Sequence, residues 1–236
     1  MNKLREWLKI VSECFFRPVC HVCRKETSDS DAYLCPVCTE NVLYVQPPYC
    51  RGCGGELDGV LEFCSKCMAS GERPWRNAVA VFRMEKVGAD LVHSFKYSNS
   101  FELAVLLGKM ACRALENSDF NFDAVVPVPL HWSRQIIRGY NQSELLADVI
   151  AREYGVKMEK LILRSKYTPK QALLKRNKRK NNLVGAFSSI KGANYKNRSI
   201  LLVDDVMTTG ATLTEATKVL LSAGVAEVNV LVLARR

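Results

Sequence analysis

Eight of the ten cysteines fall into four Cys-x2-Cys pairs: Cys20 with Cys23, Cys35 with Cys38, Cys50 with Cys53, and Cys64 with Cys67. A two-residue gap lets both thiolates of a tight knuckle face one ion, and two knuckles complete a tetrahedral set of four thiolates, the chemistry of structural Zn2+. The spacing favours two ions in series, one on Cys20, Cys23, Cys35 and Cys38, the other on Cys50, Cys53, Cys64 and Cys67. A cross-braced arrangement, in which alternate pairs share an ion, satisfies the same spacing. Four thiolates also suit an iron–sulfur cluster, whereas disulfides are disfavoured because the sequence shows no secretion signal. Pro36, Gly52, Gly54 and Gly55 supply the turns, and so short a cysteine-rich segment has too little core to fold without metal. Cys14 and Cys112 lie outside the pattern among apolar neighbours and read as small buried hydrophobes.

A second constellation lies far along the chain, at Asp204-Asp205-Val206-Met207-Thr208-Thr209-Gly210-Ala211-Thr212. Two adjacent carboxylates can accept hydrogen bonds from vicinal sugar hydroxyls or hold the waters of a Mg2+ ion. The threonine hydroxyls, a glycine that admits close backbone approach, and the free N–H groups of a following helix can cradle a phosphate. Diol and phosphate sites side by side describe a binding site for ribose 5-phosphate. A Walker loop and a G-x-G-x-x-G dinucleotide fingerprint are both absent.

Alternating strand and helix patterns must position this turn, and they argue for an α/β protein with a parallel sheet. Strands are expected over 77–84, 123–129, 200–205 and 227–235, and helices over 86–95, 101–116, 142–155 and 211–224, the last two stopped by Gly155 and Gly224. Ligands of such sheets bind at the carboxyl ends of the strands, where the acid pair falls. Three parts are expected: an amphipathic helix over 1–17, a cysteine-rich lobe over 18–72, and the α/β domain over 73–236. In the first, Leu4, Trp7, Leu8, Val11 and Phe15 form one face that suits docking on a neighbour.

With 236 residues, 48% of them hydrophobic and 25% charged, the chain has the composition of a globular protein rather than a disordered one. No stretch approaches the roughly 18 apolar residues of a membrane span, so the sequence reads as cytoplasmic. The formal charge of +10 is concentrated. From Arg164 to Val203 there are eleven Lys or Arg residues and no acid. Such a run attracts phosphate-bearing partners, although a solvated surface loop has the same composition.

The stretch ILLVDDVMTTGAT, 200–212, resembles the phosphoribosyl pyrophosphate (PRPP) loop of type I phosphoribosyltransferases. PVPLHWSRQIIRGYNQ from Pro127, RSKYTPKQALL from Arg164, NLVGAF from Asn182 and the cysteine pairs together resemble the ComF family, over nearly the whole chain from Cys20 to Arg236. The resemblance implies a type I phosphoribosyltransferase-like parallel sheet flanked by helices, with a small N-terminal double zinc-ribbon lobe. It places the ribose hydroxyls on Asp204 and Asp205, as the catalytic acids, and the 5-phosphate on Met207, Thr208, Thr209, Gly210, Ala211 and Thr212. It puts the loop around Arg134, Arg138, Gly139 and Tyr140 near the pyrophosphate, with Arg138 and Lys96 as its cations and Mg2+ accompanying PRPP. Residues 165–185 correspond to a mobile loop over PRPP, whose Lys175, Arg176, Lys178, Arg179 and Lys180 also suit a DNA backbone. His93 and His131 carry no expected role.

The implied setting is the handling of single-stranded DNA during uptake and natural transformation, with a PRPP-type ligand. Transfer of phosphoribosyl to a nucleobase-like acceptor and a zinc-ribbon scaffold for uptake or recombination proteins are the alternatives.

Overall fold

The structure, a computed structural model, describes residues 19–27, 33–57, 59–97, 101–165 and 185–236. The helix expected over 1–17, Cys14, and the basic residues Lys175, Arg176, Lys178, Arg179 and Lys180 lie outside the described residues. In chain order the elements are α1 (Pro36–Glu40), α2 (Ser65–Ser70), β1 (Ala78–Arg83), α3 (Lys86–Tyr97), α4 (Phe101–Glu116), β2 (Ala124–Pro127) and α5 (Trp132–Arg138). There follow α6 (Gln142–Glu153), β3 (Lys157–Met158), β4 (Ile162–Arg164), β5 (Phe187–Ser189), β6 (Ser199–Met207), α7 (Ala211–Ser222) and β7 (Glu227–Arg235).

Strands rich in Val, Leu and Ile form a parallel sheet in the order β1-β7-β6-β2-β3. Helices cover both faces, so the central strands are apolar on successive residues rather than alternately. On one face Leu91 and Phe95 of α3, Leu107 of α4 and Ile150 of α6 pack against Leu201, Val203 and Leu231. Their strand neighbours point the other way: Leu202, Val230 and Val232 meet Leu213 and Leu220 of α7. Each such fully buried side chain contributes about 1.5–3 kcal/mol, which makes this double-faced core the main source of stability.

The cysteine-rich lobe is built into that core. Cys20, Cys35, Cys38 and Val42 join the face covered by α3, α4 and α6, whereas Cys50, Cys53, Cys67 and Trp75 join the opposite face. Main-chain bonds fasten the lobe to β1 at the sheet edge, from Val45 N–H to Val81 O (3.0 Å), Arg83 N–H to Leu43 O (2.9 Å) and Ala80 N–H to Gly54 O (3.1 Å). This pairing occupies backbone groups that an open edge would present to other chains. Gly54 makes the approach feasible: its φ is +68°, and a Cβ there would fall 2.5 Å from Ala80 N.

Two local expectations need correction. β2 ends at Pro127 instead of continuing to residue 129; Val128 N–H still reaches Val203 O at 2.9 Å, but Pro129 has no N–H to extend the ladder. The segment around Arg138 is not a plain loop, because Trp132–Arg138 forms α5, with Gln135 N–H on His131 O (3.1 Å) and Gly139 N–H on Gln135 O (2.7 Å). That segment contains neither Gly nor Pro, and seven residues are too few for a periodic signal to stand out.

Candidate functional site

The sulfur atoms of Cys20, Cys23, Cys35 and Cys38 lie within 4.8 Å of one another, as do those of Cys50, Cys53, Cys64 and Cys67. The serial arrangement is therefore the one adopted. Cys23 and Cys35 Sγ are 3.7 Å apart and Cys53 and Cys64 Sγ 3.8 Å, the separation that four Zn–S bonds of about 2.3 Å produce around one ion. A multi-iron cluster would hold the sulfurs farther apart. Cys35 and Cys64 are the N-caps of α1 and α2, so each short helix begins on a ligand. Cys64 N–H donates to Cys50 Sγ at 3.2 Å, and hydrogen bonds from Cys53 and Cys67 hold the Cys50 thiol far below its usual range. Arg235 Nη2 lies 3.9 Å from Cys64 Sγ and offsets negative charge at the second centre. Both donor sets fit structural zinc.

The acid pair opens into a cleft of about 220 Å3 lined by residues that include Lys96, Arg138, Gln142, Asp204, Asp205 and Thr208. β6 carries the two acids, and they diverge in their partners. Asp205 Oδ2 pairs with Lys96 Nζ of α3 at 2.9 Å. Asp204 Oδ1 accepts from Ser143 Oγ of α6 at 3.1 Å and from Asp205 N–H at 2.9 Å. Burial, then the neighbouring charge of Asp205, pushes the Asp204 carboxyl up to about 7, against the pull of the Asp205 N–H, Lys96 and Ser143. Asn141 anchors this region: its side chain caps α6 through Ser143 N–H (3.1 Å) and donates to Val128 O (3.1 Å).

Beyond the acids, Met207, Thr208, Gly210, Ala211 and Thr212 line a smaller cradle at the start of α7. Gly210 is the N-cap at φ +75°, a left-handed conformation, and with no side chain it caps none of the first helical N–H groups itself. The Met207 side chain itself is buried in the sheet face, and Thr209 Oγ1 accepts from Ala211 N–H at 3.4 Å. Arg138 donates to Gln142 Oε1 at 3.1 Å and lies 5.7 Å from the centre of the Tyr97 ring. The arrangement thus brings two carboxylates and two cations into one cavity, beside a helix start whose N–H groups can meet an anion.

Residues 140–236 match the phosphoribosyl transferase domain family, and residues 11–68 match the double zinc ribbon domain. Competence protein F of Haemophilus influenzae is 33% identical over 228 residues, which is 94% of this chain and 98% of that protein. The chain belongs to the ComF family. DNA utilization protein YhgH of Escherichia coli K12 is 30% identical, covering 92% of this chain and 90% of the relative. Competence protein ComFC of Bacillus subtilis is 27% identical, covering 87% and 79%. The solved glutamine PRPP amidotransferase of B. subtilis, complexed with ADP and GMP, aligns at 22% identity and a TM-score of 0.41; the match covers 60% of this chain and 30% of that one.

Several cleft residues of this ComF chain carry no mark in its sequence. Gln142, Ser143, Arg164 and Arg236 line the cleft, yet Gln142 and Ser143 look like an ordinary polar helix start. Their one signal is the RGYNQ ending of a segment that the family resemblance singles out. Arg73 is equally unmarked: its Nη1 lies 3.0 Å from where a Cβ on Gly210 would sit, and its guanidinium is 5.4 Å from the Trp75 ring. Arg134 contributes its backbone to α5, and Gly139 follows at φ +78°. Tyr140 donates its hydroxyl to Phe95 O, tying the end of α5 to α3. His93 is exposed and His131 is buried, and neither lines the cleft. No helix among the described residues is long and apolar enough to cross a membrane.

Proposed function

We propose that this ComF-family protein handles single-stranded DNA in the cytoplasm during DNA uptake and natural transformation, and that its cleft binds PRPP with Mg2+. The observation that carries the ligand assignment is the meeting of Asp204, Asp205 and Thr208 with Lys96 and Arg138 in one cavity. In this reading Asp204 and Asp205 hold the ribose hydroxyls, while Thr208 to Thr212 and the N–H groups of α7 hold the 5-phosphate. Lys96 and Arg138 face the pyrophosphate, where a planar guanidinium can bind two oxygens at once. Mg2+ arriving with the ligand offsets further negative charge, its waters falling to the same acids. The competence and DNA-utilization names of the relatives support the biological setting. Lys175, Arg176, Lys178, Arg179 and Lys180 are assigned to DNA phosphates, and uptake or recombination proteins are the protein partners in this reading.

Calorimetric titration with PRPP and Mg2+, with and without a short single-stranded oligonucleotide, tests this reading. Saturable binding that disappears in the Asp204→Asn, Asp205→Asn double variant is expected, with zinc content and melting retained. Equal affinity in the variant removes the site assignment.

A second reading, phosphoribosyl transfer to a nucleobase-like acceptor, is favoured by a neighbouring groove of about 220 Å3. It shares Pro129, Leu130 and Arg164 with the cleft and carries Trp132, Gln135 and Lys160 on its walls. Trp132 is 64% exposed, a surface on which an aromatic base can stack. Pyrophosphate release in the same samples separates transfer from binding alone.

A further inference from the structure

Gln142 is the first residue of α6, is 1% exposed, and lines the cleft. Its Oε1 accepts from Arg138 Nη1 at 3.1 Å. Arginine can only donate, so this contact fixes which end of the amide is oxygen and turns the NH2 the other way. That Nε2 is buried and has no hydrogen-bond partner among the described residues. A buried donor left unfilled is costly, and native proteins rarely keep one without a use. Neither nearby acid takes it: the donors to Asp204 are Ser143 Oγ and the Asp205 N–H, and the partner of Asp205 is Lys96.

We infer that Gln142 is a ligand-binding residue whose Nε2 donates to a phosphoryl oxygen at the pyrophosphate end of the ligand. Donation from Arg138 onto Oε1 polarises the amide and strengthens its N–H groups as donors, which matches an anionic acceptor. Arg138 and Gln142 then act as one unit: the guanidinium sets the amide's orientation and offers its remaining N–H groups to the same anion. This inference rests on the PRPP reading of the cleft and adds a contact that reading does not contain.

The experiment measures PRPP affinity by calorimetry, and ribose 5-phosphate affinity by competition, on the full zinc-loaded chain. Gln142→Met removes the donor, and Gln142→Glu keeps the shape and the Arg138 contact while replacing the donor by an acceptor. PRPP binding is expected to weaken about tenfold in the first and more in the second, with ribose 5-phosphate changed by less than about twofold. Gln142→Glu provides the reading if Gln142→Met fails to fold. Unchanged PRPP affinity, or equal losses for both ligands, overturns the role of Gln142. Asp205→Asn is the control: binding lost there but intact in the Gln142 variants overturns this inference alone, whereas a wild-type chain that binds no PRPP overturns the underlying reading with it.

Discussion

Lys96 Nζ and Asp205 Oδ2 stand 2.9 Å apart, a pairing between the last turn of α3 and the end of β6. The lysine thereby sets the charge of a site whose second acid, Asp204, is already hard to ionise. Its ammonium is one of the influences that hold the Asp204 carboxyl down against burial. Lys96→Met is expected to move the Asp204 titration upward, followed by carboxyl NMR shifts. PRPP affinity should fall about tenfold, because one cation facing several phosphate charges is gone. A titration that stays in place would detach Lys96 from the acid pair.

Asp204 gives the stability of the fold a pH dependence of definite sign. Its carboxyl releases a proton near pH 7 in the folded chain and near the ordinary carboxylate value of 3.8 when unfolded. Between those values the folded state holds the extra proton, so stability falls as pH rises from about 4 to about 7, then levels. Asp204→Asn removes that penalty. The variant should be more stable than the parent by about 1–2 kcal/mol at pH 8 and no more stable at pH 4, read from denaturant midpoints. A gain that does not change with pH would contradict the assignment.

Arg73 backs the cradle at Gly210, with its Nε buried and without a partner among the described residues. No Lys or Arg among the described residues lines the cradle itself, so this guanidinium brings positive charge to its rear. Arg73→Gln is expected to weaken ribose 5-phosphate binding about fivefold at low salt, with the difference shrinking as ionic strength rises. A salt-independent loss would mean that the residue only braces the loop.

Elemental analysis should return two zinc ions per chain, matching the two sets of four sulfurs. Substituting Cys53 with Ser should remove one ion and leave the other. Loss of both in this variant would show that the ribbons are not independent sites.

If the basic run tracks a DNA backbone, replacing Lys175, Arg176, Lys178, Arg179 and Lys180 by Ala should flatten the salt dependence of single-stranded DNA binding. The slope of log K against log salt is expected to fall by about 3.5, near 0.7 for each phosphate left without its cation. An unchanged slope would place the DNA elsewhere.

What the sequence made legible was the chemistry that is local in the chain. The Cys-x2-Cys spacing and the Asp204–Thr212 turn each lie within a few residues, and long apolar strands such as Glu227–Arg235 appear at their expected bounds. What escaped was either too short or too far apart. β3, β4 and β5 have two or three residues each, below any periodic signal. The contacts of Arg73 with Gly210 and of Ser143 with Asp204 join positions that only the folded chain brings together. Gln142 was hidden for another reason: a polar residue opening a helix looks ordinary until the fold shows that one end of it meets no partner among the described residues.

The seating of the two ribbons on opposite faces of the sheet makes the metal a rivet through the molecule. Trp75 donates its indole N–H to Arg51 O, between two ligands of the second centre, while its ring lies against Gly210. Arg235 meets the same centre as Arg236, the next residue, lines the cleft. A ribbonless α/β fragment would therefore expose raw apolar surface on both sides at once, and limited proteolysis should find no stable product of that kind. Stripping zinc with a chelator is therefore expected to loosen the walls of the cleft along with the ribbons, because the two share one core.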